Sequence, residues 1–514
     1  MFMSKSFYVT TPIYYVNDVP HIGHAYTTIA ADVIARFKRL QGNNVFFLTG
    51  TDEHGQKIET TAEANGMTPI ELADKVVTRF QDLSGLLNIT NNDFIRTTEE
   101  RHKISVAEIF RRVEEAGDIY LSEYEGWYDV RNEAFITETQ LEEIMTIPED
   151  KRPIIEKVKE ESYFFRLSKY QEPLLEHYKK HPEFVQPGYR LNEVARFVEG
   201  GLRDLSISRT TFTWGIPVPG NSDHVIYVWF DALTNYITGV GFPDNEEMFK
   251  ENWPADVHLV GKDILRFHAV YWPAFLMSAG IELPKTVFAH GWWTVEGEKM
   301  SKSIGNVVDP YQVVEEFGAD VFRYFLLREI PFGQDGDFSK SAIIARVNGE
   351  LANGLGNLVS RTLGMIEKYF DGKVPVAGDL NSDDANVRDK AFTMVDIFER
   401  EMDEIAFHKA LVALWDYIAD VNKYVDESAP WTLAKEENQE RLGTVLWTIV
   451  QAIGVVTILI YPFMPESAEK IWERLGSQDP INSKILSDTK DWGIIQSGQT
   501  VEKGQSLFPR FEDS

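Results

Sequence analysis

Cysteine is missing altogether from the 514 residues. That absence excludes disulfides, thiolate metal sites and thiol nucleophiles. Positive charge is also scarce: 51 Lys and Arg stand against 80 Asp and Glu, a formal net charge of −29. A nucleic-acid binder usually carries a basic surface, so the global balance argues against one unless its basic patches are local. No secretory leader is expected, because "MFMSKSFYVT" lacks a long apolar core and a small-residue cleavage site. One apolar run is long enough to consider as a membrane span, "WTIVQAIGVVTILIYPFM" at 447–464, but Gln451, Gly454 and Pro462 interrupt it. The expectation is a buried core helix in a cytoplasmic protein that makes no membrane contact.

What is present is an ordinary soluble composition, 43% apolar, in a chain long enough for two to four domains. "KSFYVTTPIYYV" is β-branched and aromatic and reads as a strand. In "GHAYTTIAADVIARFKRLQG", Ile29, Val33 or Ile34, Phe37 and Leu40 recur at helical spacing until Gly42. "NNVFFLTG" reads as a buried strand, and strand–helix–strand over about forty residues opens a parallel nucleotide-binding sheet. "HVIYVWF", "DVHLV" and "KTVFAH" predict further buried strands, and from about 339 the pattern turns helical. "DGKVPVAGDLNSDD" is a turn-rich connection within that half, and the chain has no internal repeat or low-complexity tract.

Two short stretches carry chemistry. "PHIGHA", 20–25, sets His21 and His24 around Gly23 where the first strand's loop becomes a helix. Backbone N–H groups and the helix dipole favour an anion there, and imidazoles could add donors to phosphate oxygens. A plainer reading has His24 capping the helix and His21 as a polar loop residue. "EGEKMSKSIGN", 298–308, places Lys299 and Lys302 in a Gly/Ser-rich loop, as suits a triphosphate that is clamped and then released.

Together and in this order, "HIGH" and "KMSKS" resemble the signature of class I aminoacyl-tRNA synthetases. The resemblance extends to the methionyl-tRNA synthetase family through "TPIYYVN", "TGTDEHG", "YVWFDALTNY", "GKDILRFHAVYWPA", "FAHGWW", "NLVSR" and "APW". It implies an α/β protein: a Rossmann-like parallel-sheet catalytic domain with an inserted connective domain, then an α-helical anticodon-binding bundle. The implied partition is 1–115 and 224–290 for the catalytic halves, 116–223 for the insertion, and 291–345 for the lysine loop and stem-contact region. The helical domain would span 346–480 and a tail 481–514.

By the same resemblance, L-methionine and ATP with Mg²⁺ give methionyl-adenylate and pyrophosphate, and methionine then passes to tRNA(Met), initiator and elongator. His21, His24, Lys299 and Lys302 would be catalytic. Gly23, Gly261, Lys262, Asp263, His290, Met300 and Ser301 would meet ATP. Ile13, Tyr15, Asp52, Val228, Trp229 and Ala232 would line the methionine pocket with Leu233, Tyr236, Ile264, His268 and Trp272. Aromatic walls suit a polarizable thioether, Asp52 supplies a carboxylate for the ammonium group, and Tyr15 and His268 offer weak donors to sulfur. Asn357, Arg361, Pro430 and Trp431 match anticodon-reading positions, where an aromatic can stack on an unpaired base.

Two departures stand out. Many family members bind zinc through cysteines in the insertion; this one has His177 and His181 there and no cysteine, so no zinc is expected. The sequence ends at "LFPRFEDS", without the oligonucleotide-binding module that some members carry. A monomer or a homodimer would fit. Other class I synthetases and small-molecule nucleotidyltransferases are the alternative readings.

Overall fold

A computed structural model describes residues 5–16, 19–129, 134–136, 138–148, 152–295, 298–299 and 307–512. Its centre is a parallel sheet: β1 (Ser6–Thr10), β2 (Tyr14–Tyr15), β3 (Asn44–Asp52), β4 (Asp93–Arg96), β5 (Val185–Gln186), β6 (Val257–Gly261) and β7 (Val287–His290). The order across the sheet is β4–β3–β1–β6–β7–β5, with β2 continuing along β3 beyond β1. All of its ladders are parallel. The order reverses between β1 and β6, where Val9 faces Val257, and a ligand crevice belongs at such a switch point.

Three sequence expectations change in detail. The opening segment is two strands, because residues 11–13 carry Pro12, which has no N–H for a ladder. "HVIYVWF" divides as well: Asn221–Ile226 is a strand, but Val228–Leu233 is a short helix. That strand sits outside the parallel sheet, antiparallel between Ser208–Arg209 and Pro217–Val218. Its apolar run signalled burial, which a helix satisfies as well as a strand. Finally, β5 lies within 116–223 yet pairs with β7, so part of that stretch completes the main sheet.

The rest of the insertion includes helices and an antiparallel sheet in which Ile119–Asp129 lies between Ala134–Ile136 and Ile155–Phe165, with Leu205–Ser206 beside the last. Phe165 is fully buried and meets Phe275 edge-on at 4.9 Å, so the base of the insertion packs into the catalytic core. The sequence offers "AFIT", 134–137, as part of a small core for the insertion; of it, the side chains of Ala134 and Phe135 and the whole of Thr137 lie outside the described residues.

The helix α1 (Ile22–Leu40) is buried on nearly every side from Ala25 to Phe37. It packs against the sheet and also against the helix Ala319–Arg328, joining one hydrophobic core that runs into the helical half. Arg323 fastens the joint. Fully buried, it donates to Asp32 Oδ2 (2.7 Å) on α1 and to the carbonyls of Leu87 (2.9 Å), Pro462 (2.7 Å) and Phe463 (2.9 Å). The apolar run resolves into the helix Gln439–Ile460, an interior helix whose Gln451 pairs with both backbone groups of Ile495.

Candidate active site

The two histidines of "HIGH" cap α1 reciprocally. His21 Nδ1 accepts the Gly23 N–H (3.0 Å), and His24 Nδ1 accepts the His21 N–H (3.1 Å). Since both Nδ1 atoms accept, the proton of each neutral ring is assigned to Nε2, which leaves two donors. The rings lie 3.9 Å apart. His24 is packed against Tyr14 and Phe80, and this burial, with His21 beside it, holds its pKa well below 6.5. Gly23 has a reason the sequence did not reveal: a Cβ there would stand 2.8 Å from His21 Cε1, in the space the capping ring occupies. The first turn of α1 holds no acidic side chain, so the positive helix end keeps its anion affinity. Capping and ligand donation are thus compatible roles for the pair.

Across the switch point, "GKD" follows β6. Gly261 has Asp263 Oδ1 2.6 Å from where a Cβ would lie, and that oxygen accepts from Trp292 Nε1 (3.1 Å). Lys262 pairs with both carboxylate oxygens of Asp335, at 2.7 and 2.5 Å, over the Trp292 ring. His290, at the end of β7, donates from Nδ1 to the Gly291 carbonyl (2.8 Å) and accepts the Thr27 hydroxyl at Nε2 (2.7 Å). Burial lowers its pKa. It therefore ties β7 to α1.

The predicted methionine-binding residues converge beside this end of the sheet. Trp229 stacks on Phe267, centroids 3.7 Å apart and 4° from parallel, and meets His268 edge-on. Tyr236 and Trp272 are buried, with ring centroids 6.2 Å apart. Val228, Ala232 and Leu233 are buried, and Ile13, Tyr15 and Ile264 are half-buried against the same core. Asp52 ends β3 in register with Tyr15. One expected role changes. His268 donates from Nδ1 to the Ile264 carbonyl (3.0 Å) and accepts the Tyr236 hydroxyl at Nε2 (2.7 Å), so neither nitrogen is left to donate to sulfur. Burial pushes its pKa down to about 4, against smaller raising effects from Ile264 and Asp263. Phe267 was missed, although it stands next to His268 in a quoted motif.

Lys299 ends a two-residue strand, Glu298–Lys299, that pairs antiparallel with Trp293–Val295. Its side chain, and Met300, Ser301 and Lys302 entirely, lie outside the described residues.

In the helical half, Asn357 and Arg361 sit one turn apart on the helix Asn357–Phe370 and line an open cleft of about 650 Å³ against the helix Phe407–Ser428. Arg361 pairs with Asp426 (2.8 Å), and its guanidinium lies 5.6 Å from the Trp431 ring centroid. Trp431 is 38% exposed, while Pro430 is buried as the first residue of a short helix. Ala429, at φ 42°, makes the turn into this helix, and the tryptophan comes to lie beside Arg361. Asn353 and Asn422 also line the cleft, but nothing in their sequence context had marked them.

His177 and His181 are neighbours, 4.6 Å between rings, and burial followed by the charge of His181 lowers His177 to about 4. Among the described residues no group of three His, Asp or Glu could hold a metal.

Comparison with known proteins bears on all of this. The family model for class I tRNA synthetases (M) matches residues 7–152 and 140–363, and that for the anticodon-binding domain of methionyl-tRNA ligase matches 374–514. The chain is 51% identical to the methionine–tRNA ligase of Caldanaerobacter subterraneus over 99% of its own length and 80% of that protein's. It is 48% identical to that of Thermotoga maritima, over 98% and 80%. The crystal structure of Mycobacterium tuberculosis methionyl-tRNA synthetase in complex with methionyl-adenylate superposes with a TM-score of 0.92. The two are 48% identical, over 98% of this chain and 100% of that one.

Proposed function

Because the chain belongs to the methionyl-tRNA synthetase family of class I tRNA ligases, we infer that it is a methionine–tRNA ligase working at the β1–β6 switch point. L-methionine and ATP give methionyl-adenylate and pyrophosphate, and methionine then passes to the 3′-terminal adenosine of tRNA. The observation that carries the site assignment is the reciprocal histidine cap, which uses both Nδ1 atoms as acceptors at the positive end of α1 and so puts each ring proton on Nε2.

The amino acid's ionised carboxylate attacks the α-phosphorus directly, so the first step needs no general base. Catalysis is positioning and charge stabilisation. His21 and His24 donate to the phosphates as negative charge redistributes, and such donors count most where they are stronger in the transition state. Lys299 and Lys302 hold the departing pyrophosphate, and Lys262 exchanges Asp335 for phosphate. Mg²⁺ enters with ATP. Gly261 lets the nucleotide approach β6, with Asp263 and the face of His290 towards its ribose and adenine. Trp229, Tyr236, Ile264, His268 and Trp272 enclose the thioether, with Ile13, Tyr15, Val228, Ala232 and Leu233 completing the wall. Asp52 takes the ammonium group. In the second step the terminal adenosine hydroxyl attacks the adenylate carbonyl and AMP leaves.

Asn357, Arg361, Pro430 and Trp431 read the anticodon of initiator and elongator tRNA(Met) alike. We keep the division into catalytic halves at 1–115 and 224–290, an insertion at 116–223 and a helical domain from 346, with β5 counted in the main sheet. The protein acts in the cytoplasm without zinc, as a monomer or homodimer. Amino-acid-dependent exchange of pyrophosphate into ATP, run over a panel of amino acids, tests the activity: methionine alone should drive it, and exchange driven by any other would overturn the assignment.

A further inference from the structure

A second buried cluster lies directly behind the proposed methionine pocket. Asp231, with no solvent exposure, stands in the short helix Val228–Leu233, whose other residues include four of the pocket's wall positions. Its Oδ2 accepts from His54 Nδ1 at 2.7 Å, and its Oδ1 accepts from His102 Nε2 at 2.7 Å. His54 lies two residues beyond Asp52, in the turn that ends β3. His102 sits in the first turn of the helix Glu100–Glu115, and its Nδ1 faces the Thr238 hydroxyl at 3.3 Å. Thr238 closes the four-residue helix that carries Tyr236. That longer helix also packs on Trp272–Ala279.

We propose that Asp231 is a positioning residue for methionine: it fastens the aromatic wall to the strand end that presents Asp52, and so sets the distance between the thioether and ammonium subsites. This rests on the pocket assignment above. One carboxylate on the wall helix is bonded to the strand end that presents Asp52 and to a helix that touches Thr238, beside Tyr236. Val228–Leu233 is only six residues long and cannot hold its own orientation by helix hydrogen bonds. Two fully buried, charge-assisted bonds fix it instead. Burial alone would raise the Asp231 pKa, but the two imidazoles outweigh it and bring the value down to about 2, so the carboxylate is ionised. An amide in its place presents one acceptor and one donor, and the donor meets an imidazole N–H. One histidine must then retreat or shift its proton, and the two subsites drift apart. A misplacement of about 1 Å can cost a hundredfold.

The test uses the full-length protein in methionine-dependent pyrophosphate exchange. D231N should raise the KM for methionine roughly ten- to hundredfold and leave the KM for ATP within about twofold, because ATP contacts lie on α1, β6 and β7. Equal rises in both constants, or unchanged constants, would overturn the proposal. Trp229→Ala serves as the control on the pocket. If it leaves the methionine KM unchanged, the pocket assignment fails and takes this proposal with it. If it raises that constant while D231N does not, only the positioning role falls. Should D231N not fold, His102→Gln and His102→Leu decide: glutamine supplies a donor near the place of Nε2 and should restore methionine KM, whereas leucine should not. Identical constants for the two would refute the role of the bond.

Discussion

Replacing Gly23 with alanine separates the histidine pair's chemistry from its part in folding. The added Cβ would lie 2.8 Å from His21 Cε1 and 3.0 Å from Nδ1. Both atoms belong to a side chain that can swing, so the ring moves and the backbone stays. Moving it breaks the cap to the Gly23 N–H, a loss of about 1 kcal/mol. Alanine in place of a helical glycine returns about 1 kcal/mol, and the two effects cancel. The melting temperature should therefore shift by no more than about 3 °C. Catalysis has no such compensation. Taking one aimed donor from a developing phosphate charge costs roughly a hundred- to thousandfold. Pyrophosphate exchange should fall by that factor in kcat, with methionine KM unchanged, since none of the pocket's aromatic residues lies on α1. His21→Asn, which keeps a capping acceptor but loses the Nε2 donor, should match it. An exchange rate within threefold of the parent would refute the assignment of His21 as a phosphate donor. A fall in melting temperature beyond about 10 °C would refute the claim that the ring alone yields.

Four further outcomes follow from the geometry. Trp431→Ala should leave exchange intact and reduce tRNA charging by roughly ten- to hundredfold, as loss of a base-stacking surface costs about 1–3 kcal/mol; lost exchange would instead give Trp431 a core role. Arg323→Met removes the charge that bridges Asp32 to the Pro462 and Phe463 carbonyls and should cost about 3–5 kcal/mol of stability in urea unfolding; a loss under 1 kcal/mol would refute its role as a joint. His268 has a folded pKa of about 4, below the 6.5 of the unfolded chain, so the unfolded state takes up a proton first. Its contribution is complete above about pH 6.5 and falls by about 3 kcal/mol as pH drops towards 4, with His24 and His290 acting in the same sense. Stability that is flat between pH 7 and 4.5 would show those rings to be solvated. Elemental analysis should find no stoichiometric zinc, and a chelator should leave the insertion folded; one zinc per chain would refute this.

How much of this was legible in the sequence depended on whether the signal was local. Strand, helix and strand over residues 6–52 announced themselves by apolar period and by Gly42, and the interior fate of Gln439–Ile460 followed from Gln451 within its apolar run. Motif strings singled out His21, Trp229 and Trp431 as candidates because family likeness preserves order. What stayed hidden needed three dimensions. Nothing near Val228 said that burial would come from a helix, and no spacing could bring His54, His102 and Asp231 to one point. Tautomers were equally invisible: the donor role first given to His268 failed because Ile264 and Tyr236 claim both nitrogens.

The Arg323 joint also limits how the protein can be divided. Motif by motif, the chain looks modular, and a catalytic fragment ending near residue 345 would seem a natural unit. Such a fragment would keep Arg323, Asp32 and the Leu87 carbonyl but lose the carbonyls of Pro462 and Phe463. The guanidinium would face water where the helical half had sealed it, near the bared rings of Tyr324 and Phe332, which lose Trp415 and Phe407. A shortened enzyme for biotechnology would thus need Arg323 and its apolar neighbours redesigned together. Removing the helical half leaves a wound in the catalytic body and not a clean edge.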